Sequence, residues 1–175
     1  MPKLIENLQE TILQASRDIL LEQGYKALTI RNVAGACQIA VGTVYNYYAS
    51  KDVLAAAVIL EDWNLMLQQM QKQCAQAQDM RTGLTQVYEN LRGFKEKYRE
   101  VWAGYAFGAS QQPAYVRRHK MLIRQIAECI HQLTERFAGK RNGEMDLFLA
   151  ENILMCTGSS EMTFASFIEI ALRAF

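Results

Sequence analysis

Nine residues in the first third of this chain have the types and spacing to grip a polyanion and read hydrogen-bonding edges: Thr29, Arg31, Val41, Gly42, Thr43, Tyr45, Asn46, Tyr47 and Lys51. Thr29 stands where a helix can begin, so its hydroxyl and the free backbone N–H groups beside it can meet a phosphate, and Arg31 adds a cation just inside. Gly42 has no side chain to hold the backbone away from a flat surface, which lets Val41 and Thr43 approach base edges. Thr43 offers a hydroxyl and can touch a thymine methyl, while Asn46 carries the amide that suits adenine. Tyr45 and Tyr47 lie two residues apart on a helix and so project to different sides; one can contact phosphate while the other packs. Lys51, at the start of a further helix, brings charge and free N–H groups to a phosphate and with them a dependence on salt.

That chemistry needs elements to position it. Ile5, Leu8, Ile12, Ala15 and Ile19 recur at steps of three and four until Gly24, which marks a helix C-terminus. Thr29 then caps a two-turn helix running to about Cys37, whose apolar side is Ile30, Val33 and Ala34. Gln38, Ile39 and Ala40 make a tight turn into a second short helix, Val41 to Tyr47, and Ser50 caps a long helix reaching about Gln76, with Asp52 favoured in its first turn by the helix dipole. Beyond a break at 76–82, helices are expected over 83–98, 100–107, from Pro113 past Phe137, 144–157 and 161–174, with a polar turn at 139–143. No strand alternation is present. The chain reads as all-α: an N-terminal three-helix helix-turn-helix module over residues 1–51, then a helical bundle over 52–175 that ends in a two-helix dimerisation face.

Taken singly, each residue has an ordinary role: Thr29 and Ser50 as caps, Gly42 as a turn residue, Tyr48 as core. In order and at this spacing they are more specific. The run T-I-R-N-V-A-G-A-C-Q-I-A-V-G-T-V-Y-N-Y-Y-A-S-K-D-V-L, preceded by Gly24 and Tyr25, resembles the N-terminal signature of the tetracycline-repressor (TetR) family of bacterial regulators, with Thr29, Val33, Ala34, Ile39, Gly42, Tyr45, Tyr47, Tyr48, Lys51 and Leu54 at the expected places. The resemblance covers roughly the first third of the chain. It implies a repressor that binds double-stranded DNA, and an effector pocket among the middle helices for an unknown small molecule. Two positions depart from the pattern. The family usually carries glycine and, two residues on, a small hydroxyl residue, where this chain has Gln38 and Ala40; a capping hydroxyl and one backbone contact are thereby lost.

Composition narrows the function by exclusion. The 175 residues carry a formal net charge of only +1, and within residues 1–52 Lys3, Arg17, Lys26, Arg31 and Lys51 are balanced by Glu6, Glu10, Asp18, Glu22 and Asp52, so a DNA-binding reading rests on placement rather than bulk charge. No apolar run approaches a membrane span and the N-terminus is charged and amphipathic, which points to the cytoplasm. Cys37, Cys74, Cys129 and Cys156 form no CxxC pair and have no histidine at metal-ligand spacing, so they read as reduced, mostly buried thiols; no metal and no cofactor are expected. There is no phosphate-binding glycine loop, nucleophile elbow or zinc motif, and an enzyme is not expected. The alternative is a non-catalytic helical protein-interaction module, which would leave Thr43, Asn46 and Lys51 without a task.

The second part of the chain is rich in aromatic residues and methionine. Trp63, Tyr88, Trp102 and Tyr105 each couple apolar area with a polar handle, as ligand-binding residues of an effector pocket would, against the plainer reading that they are core. The terminal helices, with Leu147, Phe148, Met155, Phe164, Phe167 and Ile170, are apolar on more than one face, which calls for a homodimer partner. A dimer would set two reading helices about one DNA turn apart on a near-palindromic operator. The basic run at Arg117, Arg118, His119, Lys120 and Arg124 reads most simply as a solvated helix face.

Overall fold

The computed structural model describes residues 7–101, 113–139, 142–158 and 162–175, and among these every regular element is a helix. The order is α1 (Leu8–Glu22), α2 (Ile30–Ala36), α3 (Val41–Tyr47), α4 (Lys51–Gln76), α5 (Met80–Lys97), α6 (Pro113–Ala138), α7 (Gly143–Cys156) and α8 (Phe164–Ala171), the last tightening into a 3₁₀ turn over Leu172–Ala174. Ile5 and most of the helix expected over 100–107 lie outside the described residues.

Helix boundaries follow capping chemistry. Gly24 adopts a left-handed φ of 81° after α1, the conformation glycine takes without steric cost. The Thr29 hydroxyl accepts the backbone N–H of Asn32 at 3.1 Å, and the Ser50 hydroxyl that of Val53 at 3.2 Å. One boundary corrects the sequence reading. Helix α5 begins at Met80, three residues before Gly83, because Asp79 caps it by accepting the Thr82 N–H at 2.7 Å. That backbone bond is the first cause holding the Asp79 carboxyl below its ordinary pKa. Helix α8, by contrast, starts later than expected, at Phe164, where the Thr163 hydroxyl accepts the Ser166 N–H at 3.2 Å.

The chain divides into two compact units. The first contains α1, α2, α3, the part of α4 up to Trp63, and the stretch from Tyr98. Its core is Ile12, Leu28, Val33, Val44, Leu54 and Val58, all fully buried, each contributing roughly 1.5–3 kcal/mol. The second contains the remainder of α4, α5, and α6 to α8, around Met70, Leu84, Ile126, Ile130, Leu133, Leu149 and Ile153. Within it α5 and α6 approach so closely at Gly83 that an added Cβ would sit 2.4 Å from Leu133 Cδ2, so any larger residue there would force the Leu133 side chain to shift. His131 Nδ1 lies 2.8 Å from Asp146 Oδ2, and Thr134 donates to Asp146 Oδ1 at 2.6 Å, so the buried Asp146 carboxylate ties α7 to α6. No helix among the described residues is long and apolar enough to cross a membrane.

The thiols behave as the sequence suggests. Cys37, Cys74 and Cys129 are buried and Cys156 is partly so. Burial, with Cys129 nearby, pushes Cys74 up to about 12, and burial pushes Cys129 up to about 11, which keeps both protonated and unreactive at neutral pH.

Candidate nucleic-acid interface

Helices α2 and α3 form a helix-turn-helix whose turn is opened by two backbone hydrogen bonds. The Gln38 N–H donates to Gly35 O at 3.1 Å and the Ile39 N–H to Ala34 O at 3.0 Å, the paired bonds of a Schellman C-cap. That motif places Gln38 in the left-handed region, φ 55°, which explains why a glycine suits the position and identifies a local strain of about 1–2 kcal/mol in this chain. Ala40 occupies the N-cap of α3 with no side-chain bond to the helix, as the missing hydroxyl implied. The Cys37 thiol, in turn, donates to Thr11 O at 3.7 Å, tying the end of α2 to α1.

Helix α3 is held from one side only. Val44 is its sole buried residue, and Tyr48, at its C-cap, is buried as expected. Val41, Gly42, Tyr45, Asn46 and Tyr47 are exposed and Thr43 half-buried. The two tyrosines correct the expectation that one packs: Tyr45 is 53% and Tyr47 45% exposed. With Val44 and Tyr48 already filling the inward stripe of this two-turn helix, neither position between them can turn inward. A Cβ built on Gly42 meets nothing within 4 Å, so no packing inside the chain demands a glycine.

The flanks are cationic but sparsely so. Arg31 is exposed and makes no ion pair among the described residues. Lys51 is more constrained than its sequence position suggests. Its ammonium sits 4.1 Å from the centroid of the Tyr25 ring and donates to Tyr25 O at 3.3 Å, and the Tyr25 hydroxyl donates to Asp52. Of the backbone N–H groups at the start of α4, that of Val53 is taken by the Ser50 hydroxyl, and those of Lys51 and Asp52 have no acceptor within the helix.

Beneath this surface lies a polar network that local sequence patterns do not reveal. Asp62, only 7% exposed, accepts from Arg17 Nε at 2.7 Å and from the Tyr98 hydroxyl at 2.6 Å, while Arg17 also reaches Glu61 at 2.6 Å. Burial works against the Arg17 charge, yet the Asp62 and Glu61 carboxylates outweigh it and hold its pKa above the ordinary value. Burial, then the Asp62 carboxylate, pushes the Tyr98 phenol far up, so it stays a hydrogen-bond donor. The network fixes α1 against α4 and so sets the platform on which α2 and α3 rest.

The ligand-binding residues expected from sequence are not gathered by what is described. Trp63 is buried in the first unit. In the second, Tyr88 stacks on Phe164 with centroids 4.1 Å apart and planes 3° from parallel, which uses its ring to pack α5 on α8. Trp102 and Tyr105 lie outside the described residues.

Comparison with known proteins agrees with this geometry. Residues 12–58 match the family of bacterial regulatory proteins, tetR family. Over 163 residues the chain is 26% identical to the uncharacterized HTH-type transcriptional regulator YvdT of Bacillus subtilis, covering 87% of this chain and 83% of that one. Two solved structures share the fold. One is the regulator SCO7518 of Streptomyces coelicolor, with TM-score 0.66 and 16% identity over 94% of this chain and 96% of that one. The other is the regulator FadR of Bacillus subtilis in complex with stearoyl-CoA, with TM-score 0.58 and 11% identity over 95% and 90%.

Proposed function

We propose that this chain, which belongs to the tetR family of bacterial regulatory proteins and is a DNA-binding transcriptional regulator, works in the cytoplasm as a dimeric repressor whose α3 enters the major groove of a near-palindromic operator and whose release follows binding of a small molecule. The observation that carries the reading is α3 itself. It is anchored by Val44 alone and presents Gly42, Thr43, Tyr45, Asn46 and Tyr47 to solvent, with a glycine that internal packing does not need. A surface pressed against base edges supplies the missing reason for Gly42.

In this reading Asn46 and Thr43 read bases, Val41 touches them, and Tyr45 and Tyr47 divide phosphate and base contact between them. Thr29, Arg31 and the start of α4 at Lys51 hold the backbone phosphates. Residues 1–51 carry DNA binding, and 52–175 carry sensing and dimerisation. The dimer is supported by the terminal helices, where Phe148 is 54% and Ile170 61% exposed beside Leu147, Met155 and Met162, an apolar surface that a second copy would cover. An effector is supported by FadR, a structure of the same fold that holds stearoyl-CoA. Release then follows from preferential binding of the effector to a dimer whose reading helices no longer match the operator spacing.

The test uses duplex DNA from beside the protein's own gene, titrated at several salt concentrations with the native chain and with Lys51→Ala. The native chain is expected to bind it in preference to unrelated duplex, and Lys51→Ala to weaken binding to every sequence while reducing the salt slope by about 1 per protomer. Absence of sequence-preferring binding at low salt would leave the protein-interaction module as the better reading. An unchanged salt slope would confine Lys51 to its contact with Tyr25.

A further inference from the structure

The chain first leaves the DNA-reading unit inside α4, after Trp63, and returns to it at Tyr98, immediately beyond α5. The excursion Asn64–Lys97 therefore begins and ends beside the same carboxylate. Asp62 stands just before the departure, and the Tyr98 hydroxyl donates to its Oδ2 at 2.6 Å. Its Oδ1 accepts from Arg17 Nε of α1 at 2.7 Å. Arg17 is held in turn by Glu61 at 2.6 Å and by the Gln14 side chain at 2.6 Å. Helix α1 is also where the Cys37 thiol fastens the end of α2. One carboxylate thus ties the returning chain to the helix that supports the helix-turn-helix.

Stability alone does not account for a hydroxyl at this place. Tyr98 is fully buried and Asp62 nearly so. Arg17 already joins α1 to α4 through both Asp62 and Glu61. An apolar side chain at 98 would fill the same buried space without desolvating a hydroxyl. What the Tyr98–Asp62 bond adds is position. A hydrogen bond to a buried carboxylate is either made within a few tenths of an ångström or broken, with a desolvated acceptor left short of a donor. The junction therefore has two separated states, where apolar packing alone would let it slide.

We propose that Tyr98 and Asp62 are positioning residues for operator binding, and that their hydrogen bond is where the state of the excursion through α5 reaches the reading helices. With the bond made, Asp62 holds Arg17, α1 stays fixed against α4, and α2 and α3 keep the pose that fits the operator. A change that draws the end of α5 away withdraws the Tyr98 hydroxyl. Asp62 and Arg17 then rearrange, and α1 loosens with the two helices it supports. The inference rests on the regulator reading above, and it adds to the residues within 1–51 two further ones that act without touching DNA.

Binding linkage is reciprocal, so a signal that runs from α5 to α3 also runs from DNA to α5. The experiment is amide hydrogen exchange of the full chain, with and without a saturating duplex that the native protein enriches from a randomised pool. In the native chain the duplex is expected to slow exchange over residues 91–97 about threefold or more. In Tyr98→Phe, which keeps the ring and removes the hydroxyl, that slowing is expected to vanish and duplex affinity to fall about tenfold. Val58→Ala supplies the comparison, since it truncates a fully buried side chain of the same unit and lowers the melting temperature. It is expected to keep the slowing, which it would lose if Tyr98 contributed stability alone. The native measurement decides even without the variants, because a bound duplex that leaves residues 91–97 unchanged overturns the proposal. Native-like slowing in Tyr98→Phe, or its loss in Val58→Ala as well, would overturn it too. A native chain that enriches no duplex fails the regulator reading itself, whereas one that binds its duplex without a response in α5 fails this proposal alone.

Discussion

Helix α3 and the terminal helices both leave large side chains in water, and they differ in what accompanies those side chains. On α3, Val41, Tyr45 and Tyr47 alternate with Gly42, Thr43 and Asn46, so every exposed apolar patch has a hydrogen-bonding neighbour within one helical turn. On α7 and α8, Phe148, Met145 and Ile170 help line a hollow of about 160 Å³ whose only polar lining residue is Asn152. A partner for the first surface must supply polar edges, as a groove of DNA does. A partner for the second must supply carbon, as a copy of the same helices does. Exposure alone therefore says little about function; the polarity interleaved with it separates the surface proposed to read DNA from the one proposed to assemble.

The comparison breaks most readily at its apolar side. Ile170→Glu places a carboxylate where the dimer would bury it unpaired, a cost of about 3 kcal/mol, so subunit dissociation should rise about a hundredfold. Sedimentation should report monomers, and operator affinity should collapse although α3 is untouched. Dimers that survive this substitution would remove the assembly role from the terminal helices. A smaller effect sharpens the polar side. Asn46→Ala should lower discrimination at one base pair of each half-site by about 1–3 kcal/mol while leaving binding to unrelated DNA and the dimer unchanged, as competition assays with single-base operator variants would report. The smallest effect concerns the turn. Gln38→Gly should relieve the left-handed strain at the cost of unfolded-state entropy, a net gain of about 0.5 kcal/mol, and raise the melting temperature by about 1–2 °C. A decrease would mean that the Gln38 side chain contributes more than its backbone costs.

The elements that obey local rules were the legible ones. The Thr29 and Ser50 caps, the turn at 38–40 and the limits of α3 all depend on residues within five positions of one another, and the structure returns them as read. The start of α5 was missed because an acidic residue after a polar run has two meanings, loop or cap, and only the bond from Thr82 decides between them. The pairing of Arg17 with Asp62 spans 45 residues and that of Tyr98 with Asp62 spans 36, and no periodicity links such distant partners. A charge placed beside the long apolar stretch of α4 was the one available sign. Tyr88 shows the converse failure: an aromatic residue with a polar handle has the composition of a pocket wall, yet its partner Phe164 claims the ring for packing. Residue type shows what a side chain can do, and the fold determines which of those uses remains open.

The account turns on α3 reading DNA as one half of a symmetric pair. Selection of bound duplexes from a randomised pool by the purified protein at low salt, followed by sequencing, tests this most directly. The account predicts an enriched near-palindrome whose half-sites lie about one helical turn apart, or a multiple of it. Recovery of no preferred sequence, or of a preferred sequence without two-fold symmetry, would contradict it.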